Sequence, residues 1–112
     1  LGVAIPPFPY MVAKAGGHDI PCADYATFGT PELSAHVLRA LDGRRACLMA
    51  NHGQIATGPT LSAAYTLAQE VENLARQYLL ARSLGPTRDL PPEEMARVVE
   101  KFRTYGQQRS DD

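Results

Sequence analysis

The sequence predicts an α/β fold in which helices pack in layers on short strands. Three observations support this prediction. Apolar residues recur at helical spacing in three segments, short apolar runs are bounded by turn residues, and the two kinds of segment alternate along the chain. Because the predicted strands are few and short, they would form a sheet with long unpaired edges. Further strands from outside these 112 residues are therefore expected.

Residues 1 to 30 are expected to form loops and short strands. Prolines exclude a helix interior at four positions, Pro6, Pro7, Pro9 and Pro21. Gly16-Gly17 marks a turn or a close backbone approach. The strand pieces are predicted at Val3 to Ile5 and at Ile20 to Ala23.

The first helix is predicted to begin after Thr30, which is a favoured N-cap residue and precedes Pro31. Its apolar residues follow at helical spacing: Leu33, Val37, Leu38 and Leu41. Gly43 is expected to close it.

A strand, a tight turn and a second strand are predicted next. The apolar run Ala46 to Ala50 is short enough for a buried strand, Asn51-His52-Gly53 is typical of a turn, and Gln54 to Thr57 forms the second strand. Gly58-Pro59 then interrupts the pattern.

The longest helix is predicted to begin after Thr60 and to end at Gly85-Pro86. Its apolar stripe, including two tyrosines assigned to the core, comprises Leu61, Ala64, Tyr65, Ala68, Val71, Leu74, Ala75, Tyr78 and Leu79. A last helix follows Leu90-Pro91 and reaches Tyr105-Gly106. Its apolar residues are Met95, Val98, Val99 and Phe102.

Composition and charge exclude several classes of partner. With 11 Lys+Arg against 12 Asp+Glu and no block of cations along the sequence, nucleic acid and membrane surfaces are not expected as partners. The cysteines Cys22 and Cys47 are too few for a disulfide scaffold and are expected to be small buried residues in a cytoplasmic, reduced protein. Because the sequence begins at Leu1 rather than Met, it is expected to be a piece of a longer chain.

His52 is the best candidate for chemistry, because it stands in the turn at the end of a predicted buried strand. The alternative is a turn histidine hydrogen-bonded to backbone. His18 and His36 do not stand at metal-ligand spacing from it, so the residues alone offer one candidate ligand and no complete set. Arg44-Arg45 is interpreted as a solvated loop pair.

Two tyrosines are further candidates. Tyr10 follows Pro9 in a stiffened segment, and a tyrosine hydroxyl can act as a general acid. The alternative is a half-buried tyrosine whose hydroxyl bonds to backbone. Tyr105, at the end of the last helix, could reach a neighbouring molecule or could simply pack against its own chain.

Several phrases in order resemble the C-terminal half of proteins of the class II aldolase/adducin family. They are Pro9-Tyr10-Met11, Ala15-Gly16-Gly17, Ile20-Pro21-Cys22-Ala23, Tyr25-Ala26-Thr27-Phe28-Gly29-Thr30, Asn51-His52-Gly53 and Glu100-Lys101-Phe102-Arg103-Thr104-Tyr105-Gly106. The resemblance implies a three-layer α/β/α domain with a mixed, mainly antiparallel sheet. Residues 1–106 would be the C-terminal part of this single domain, and residues 107–112 a polar tail.

The resemblance also implies an activity, the zinc-dependent cleavage of a ketose 1-phosphate of the L-fuculose 1-phosphate type into dihydroxyacetone phosphate and an aldehyde. Zn²⁺ would act as a Lewis acid on the substrate oxygens. His52 matches the family's third zinc-binding histidine, and the other ligands belong to the N-terminal half. Tyr10 matches the tyrosine that protonates the aldehyde oxygen, Tyr105 a tyrosine that helps to close the site, and Phe28 a substrate-pocket phenylalanine.

In that family both tyrosines reach the site of an adjacent subunit, so the resemblance implies a homotetramer with active sites at subunit interfaces. Without the N-terminal half, these 112 residues are expected to be inactive alone. Two alternatives stay open. One is a pentulose-phosphate 4-epimerase or a related lyase with similar metal chemistry, and the other is a non-catalytic interaction module of the adducin type.

Overall fold

The computed structural model describes residues 1–105. In chain order these residues form a 3₁₀ helix (Tyr10–Ala15), β1 (Cys22–Ala23), α1 (Pro31–Ala40), β2 (Ala46–Met49), β3 (Gly53–Ala56), α2 (Leu61–Leu84) and α3 (Pro92–Tyr105). The alternation of strands and helices confirms the predicted α/β class. Gly106 and the predicted polar tail 107–112 lie outside the described residues.

The three strands form a mixed sheet in the order β1-β2-β3. β1 runs parallel to β2, with Ala23 opposite Met49, and α1 makes the connection between them. β2 and β3 form an antiparallel hairpin in which Cys47 lies opposite Ile55. The predicted strand at residues 3–5 is reduced to one bridge, in which the Ile5 and Ile20 backbones exchange hydrogen bonds of 2.9 and 3.0 Å.

Both predicted N-caps are confirmed. The Thr30 hydroxyl accepts a hydrogen bond from the Leu33 N–H at 3.3 Å, and the Thr60 hydroxyl accepts one from the Ala63 N–H at 3.0 Å. Each threonine thereby satisfies a backbone donor that the first helical turn leaves without an intrahelical partner.

The 3₁₀ helix occupies a segment for which loops were expected. The prolines exclude a helix only up to residue 9, and from Tyr10 onward nothing in the sequence opposes one. Val12, Ala13 and Ala15 are buried, so packing against the core holds this short helix in place. It ends at Gly16, whose φ of 101° favours glycine.

The core joins the N-terminal segment to β2, α2 and α3. Its buried members are Ile5, Val12, Ala13, Ala15, Ile20, Ala46, Val71, Leu74 and Met95. The assignment of Tyr65 to the core is wrong: this residue is 64% exposed, and the buried residues of α2 begin six positions later, at Val71. Tyr78 packs against the core and lies 5.2 Å from the Phe8 ring, measured between centroids.

Arg44 is not the solvated residue that the sequence suggested. Its side chain is only 16% exposed, and its guanidinium pairs with the Asp19 carboxylate at 2.8 Å. It also donates to the backbone oxygens of Asp19 and Gly43. The predicted close approach at Gly16-Gly17 is confirmed, because a Cβ on Gly17 would overlap this guanidinium.

Among residues 1–105, no helix combines the length and apolar character needed to cross a bilayer.

Candidate active site

The hairpin turn between β2 and β3 places His52 at the end of a strand. Asn51 adopts a left-handed conformation with φ of 65°, which asparagine tolerates better than most residues. The His52 N–H donates to the Met49 carbonyl at 3.0 Å and closes the turn. The backbone under the imidazole is therefore fixed by local hydrogen bonding.

Two neighbours from the loop after β1 hold the His52 ring. Its Nε2 lies 2.9 Å from the Ala26 carbonyl oxygen, and the Tyr25 ring stacks on it with centroids 5.3 Å apart and an interplanar angle of 14°. Because a carbonyl oxygen only accepts, Nε2 must carry the proton. A neutral imidazole in this tautomer keeps a lone pair on Nδ1, which is the arrangement that metal-binding histidines use when a second hydrogen bond orients them.

The histidine stands on the rim of an apolar groove of about 340 Å³. The groove runs between the first five residues of the chain, the ends of β1 and β2, and α2. Its apolar walls include Val3, Ile5, Leu48, Met49 and Leu79. The arrangement of one oriented imidazole beside an apolar cleft suits a ligand-binding site.

Tyr10 lies in a different cavity. It is 55% exposed and stacks on Phe102 of α3, with ring centroids 6.4 Å apart. This cavity is lined by Tyr10, Met11, Lys14, Val98, Lys101 and Phe102, none of which lines the His52 groove. Within one chain, the structure does not bring Tyr10 and His52 into a common cavity.

Phe28 does not line the His52 groove, and Tyr105 ends α3. Phe28 is 80% exposed and stands in the turn before α1. Tyr105 is the last residue of α3, three positions after Phe102, and its side chain lies outside the described residues. The backbone of α3 thus brings position 105 close to the Tyr10 end of the molecule.

Sequence reasoning missed Tyr25, the ring that stacks on His52. The two residues are 27 positions apart, so no local pattern connects them. A signal was nevertheless available, because β1 and β2 are parallel and the loops that follow parallel strands meet at the same edge of a sheet. The loop after Ala23 therefore had to lie beside the turn after Met49.

Comparison with known proteins identifies the family. The family model described as the class II aldolase and adducin N-terminal domain matches residues 1–79, more than half of the chain. The chain belongs to the class II aldolase and adducin family.

Curated members of this family are similar over almost the whole of the sequence. The chain is 59% identical over 106 residues to the 5-methylthioribulose-1-phosphate/5-deoxyribulose-1-phosphate aldolase of Rhodospirillum rubrum. The aligned residues are 95% of this chain and 48% of that protein. It is 52% identical over 107 residues to the L-fuculose phosphate aldolase of Escherichia coli, covering 95% of this chain and 50% of the relative. The chain thus spans about half the length of the curated relatives that it matches.

The fold is likewise that of a family member. A solved structure of L-fuculose 1-phosphate aldolase matches with a TM-score of 0.84 and 43% identity, over 89% of this chain and 47% of the other. This similarity confirms the expected α/β fold with a mixed sheet.

A zinc ion needs three or four protein ligands, and this requirement can be tested on the donors present. His52 offers one nitrogen. Across residues 1–105, no group of three or more His, Cys, Asp or Glu side chains could hold a metal. Cys47 is not a candidate, because burial, reinforced by the nearby Cys22, raises the pKa of its thiol and disfavours the thiolate that metals bind. The described residues therefore do not form a complete zinc site.

Proposed function

We propose that this protein acts as a class II aldolase that cleaves a ketose 1-phosphate into dihydroxyacetone phosphate and an aldehyde. The observation that carries the proposal is the placement of His52, a single oriented imidazole on a strand-end turn, in a chain whose curated relatives are aldolases. Residues 1–106 contribute one part of the catalytic domain, and residues 107–112 form its polar tail.

Each predicted site residue receives a role. His52 supplies one ligand to a zinc site whose other ligands lie outside the described residues. Tyr10 exchanges a proton with the oxygen that becomes the aldehyde oxygen, Tyr105 helps to close the site, and Phe28 contacts the substrate. The exposure of Tyr10 and Phe28 supports these roles, because the described residues leave both rings free to contact something beyond them.

The substrate class follows from what the relatives' names have in common. They act on 5-methylthioribulose 1-phosphate, 5-deoxyribulose 1-phosphate or L-fuculose 1-phosphate, all of which are ketose 1-phosphates. L-Fuculose 1-phosphate and 5-methylthioribulose 1-phosphate are therefore the two substrates to compare first. Their cleavage gives the same dihydroxyacetone phosphate and different aldehydes.

A homotetramer in the cytoplasm is part of the proposal. Tyr10 and His52 line separate cavities in one chain, so a site that uses both requires one of them from a second copy. The active sites then lie at subunit interfaces, where the exposed Tyr10 of one subunit faces the His52 turn of its neighbour.

The test combines a variant with a matched control. In the parent protein that contains these residues, His52→Ala is expected to abolish zinc retention and lower the cleavage of both ketose 1-phosphates by about 100-fold or more, since losing a metal ligand removes the metal's chemistry. His36→Ala is the control, because the half-buried His36 also bonds to a backbone carbonyl, that of Asp24 at 3.0 Å. This variant is expected to keep both properties.

Other outcomes would contradict the proposal. Epimerisation of ribulose 5-phosphate without cleavage of either ketose 1-phosphate would indicate the epimerase alternative. If neither reaction occurred and both histidine variants behaved as the parent protein, the adducin-like interaction module would be favoured.

A further inference from the structure

Three neighbouring cavities meet around the Phe102 ring and carry an unusual concentration of positive charge. Their volumes are about 570, 400 and 520 Å³, and Phe102 lines all three. Five of the chain's 11 Lys and Arg residues line them: Lys14, Arg44, Arg45, Lys101 and Arg103. Among the described residues, Glu70 is the one acidic side chain in their walls. A chain of net charge −1 thus has one distinctly basic face.

The largest of these cavities, here called the arginine cavity, is the most favourable for an anion. It is lined by Gly16, Gly43, Arg44, Arg45, Val99, Phe102 and Arg103. Three arginines line it, and no Asp or Glu from residues 1–105 does so. Val99 and Phe102 add an apolar floor.

Arg44 is the fixed member of the group. Its Nε and Nη2 donate to Asp19 Oδ1 at 3.2 and 2.8 Å, its Nη1 donates to the Gly43 carbonyl at 3.2 Å, and its Nη2 also meets His18 Nδ1 at 3.2 Å. These contacts occupy most of its donors and hold the wall of the cavity in place. They also leave most of the anion recognition to the other two arginines.

Arg45 and Arg103 have donors to spare. Within the described part of the chain, the Arg45 guanidinium makes no hydrogen bond or ion pair, although its backbone is fixed by bonds to Ala15 and Thr57 at 2.6 and 2.8 Å. Arg103 has Glu100 as its nearest carboxylate, but at 3.7 Å this contact is too long for a hydrogen bond, and both side chains are largely exposed.

We propose that the arginine cavity is a binding site for a phosphate monoester or another tetrahedral dianion. Guanidinium groups present paired donors that match two oxygens of such a group, and Arg45 and Arg103 can bind it from two sides. A volume of about 570 Å³ leaves room for an organic group on the phosphate, and the apolar floor gives that group a surface. The cavity shares no lining residue with the His52 groove, so the inference does not depend on the proposed aldolase activity.

The test is a titration of the purified protein with inorganic phosphate at low ionic strength. Calorimetry measures the affinity, and NMR of the backbone amides locates the site. We expect shifts in the amides of Gly16, Gly43 and Arg45. The double variant Arg45→Gln/Arg103→Gln is expected to bind phosphate at least about tenfold more weakly, since each lost charge-assisted hydrogen bond is worth about a factor of ten or more. Acetate, which is planar and singly charged, is expected to bind more weakly than phosphate.

A charge-matched control separates a built site from general attraction. Arg76 and Arg82 are exposed on α2 and line none of the three cavities, so Arg76→Gln/Arg82→Gln removes the same charge elsewhere. This control is expected to change the affinity by less than about threefold, as screened long-range charges do. If the double variant at Arg45 and Arg103 does not fold, Arg103→Gln alone serves, because Arg103 is 74% exposed.

Three results would overturn the inference. They are the absence of phosphate binding by the parent protein, an equal loss of affinity in the two double variants, and amide shifts confined to residues 50–53. The last result would assign the anion to the His52 turn instead.

Discussion

At the scale of single residues, the Arg44 side chain joins two segments that are distant in sequence. Its ion pair with Asp19 links the loop before β1 to the loop before β2, and Gly17 lies against the guanidinium. Arg44 and Asp19 are 16% and 26% exposed, so this pair is screened less than a surface pair. Removing one partner would leave a partly buried charge without compensation.

Gly17→Ala should therefore destabilise the protein. The new Cβ would overlap the Arg44 guanidinium and displace it from Asp19, at an expected cost of about 1 to 2 kcal/mol in the free energy of unfolding. Urea denaturation measures this change. In an Arg44→Met background the same glycine substitution should cost clearly less, because the displaced contact is already gone. Equal costs in the two backgrounds would show that the glycine matters for another reason.

The raised pKa of the Cys47 thiol predicts that the free energy of unfolding depends on pH. Burial is the main cause, and the neighbouring Cys22 the lesser cause, of its raised pKa in the folded protein. Because the unfolded thiol loses its proton first, the contribution of Cys47 to stability is complete at neutral pH and is lost as the pH rises from the ordinary thiol pKa through the raised one.

Measuring the free energy of unfolding between about pH 7 and pH 10 tests this prediction. Cys47→Ala should flatten the decline seen in the parent protein, whatever its effect on stability at pH 7. An unchanged slope would mean that other groups account for the alkaline loss. Alkylation should also be much faster at Cys22, which is partly exposed, than at the fully buried Cys47.

At the scale of elements, Thr60 anchors the longest helix. Its hydroxyl caps α2, and this helix supplies Val71 and Leu74 to the core. Thr60→Ala should lower the free energy of unfolding by about 1 kcal/mol, whereas Thr60→Ser, which keeps the hydroxyl, should lower it by only a few tenths. Chemical denaturation distinguishes the two. If both substitutions cost the same, the methyl group rather than the cap would be responsible.

The elements also show which features a sequence can predict. The caps Thr30 and Thr60 and the turn at Asn51 depend on a few neighbouring residues, so they could be predicted correctly. The exposure of Tyr65 and the fixed position of Arg44 depend on what lies across the fold, and both expectations failed. Local chemistry determines where an element begins, whereas burial also depends on partners that are distant in the chain.

In the candidate site, too, features set by neighbouring residues could be predicted and features set by distant residues could not. His52 could be selected from the sequence, because a strand-end turn is a local pattern. The partners that orient it, the Ala26 carbonyl and the Tyr25 ring, could not, because they come from a loop about 26 positions earlier that only the parallel pairing of β1 and β2 brings near. The roles of Tyr10, Phe28 and Tyr105 stay predictions that rest on the family resemblance.

At the scale of the whole molecule, the separation of Tyr10 from His52 predicts an assembly. Native mass spectrometry of the parent protein should give a zinc-bearing assembly of more than one chain, since a site with both residues needs at least two copies, and the family resemblance predicts four. Tyr10→Phe and His52→Ala, mixed as two inactive proteins and reassembled, should recover part of the activity in hybrid interfaces. A metal-free single chain in the spectrum, or no recovery after mixing, would contradict the shared-site model.

One further consequence concerns the order of events during synthesis. The Leu90 N–H donates to the Pro7 carbonyl at 2.9 Å, and Met95 of α3 is buried in the same cluster as Ile5 and Val12. Residues 5–12 are therefore made about 80 positions before α3, which completes this part of the core. Closing so long a loop is slow compared with forming a local helix. Until α3 emerges, the nascent chain exposes Ile5 and Val12, and this interval is when a chaperone would bind it.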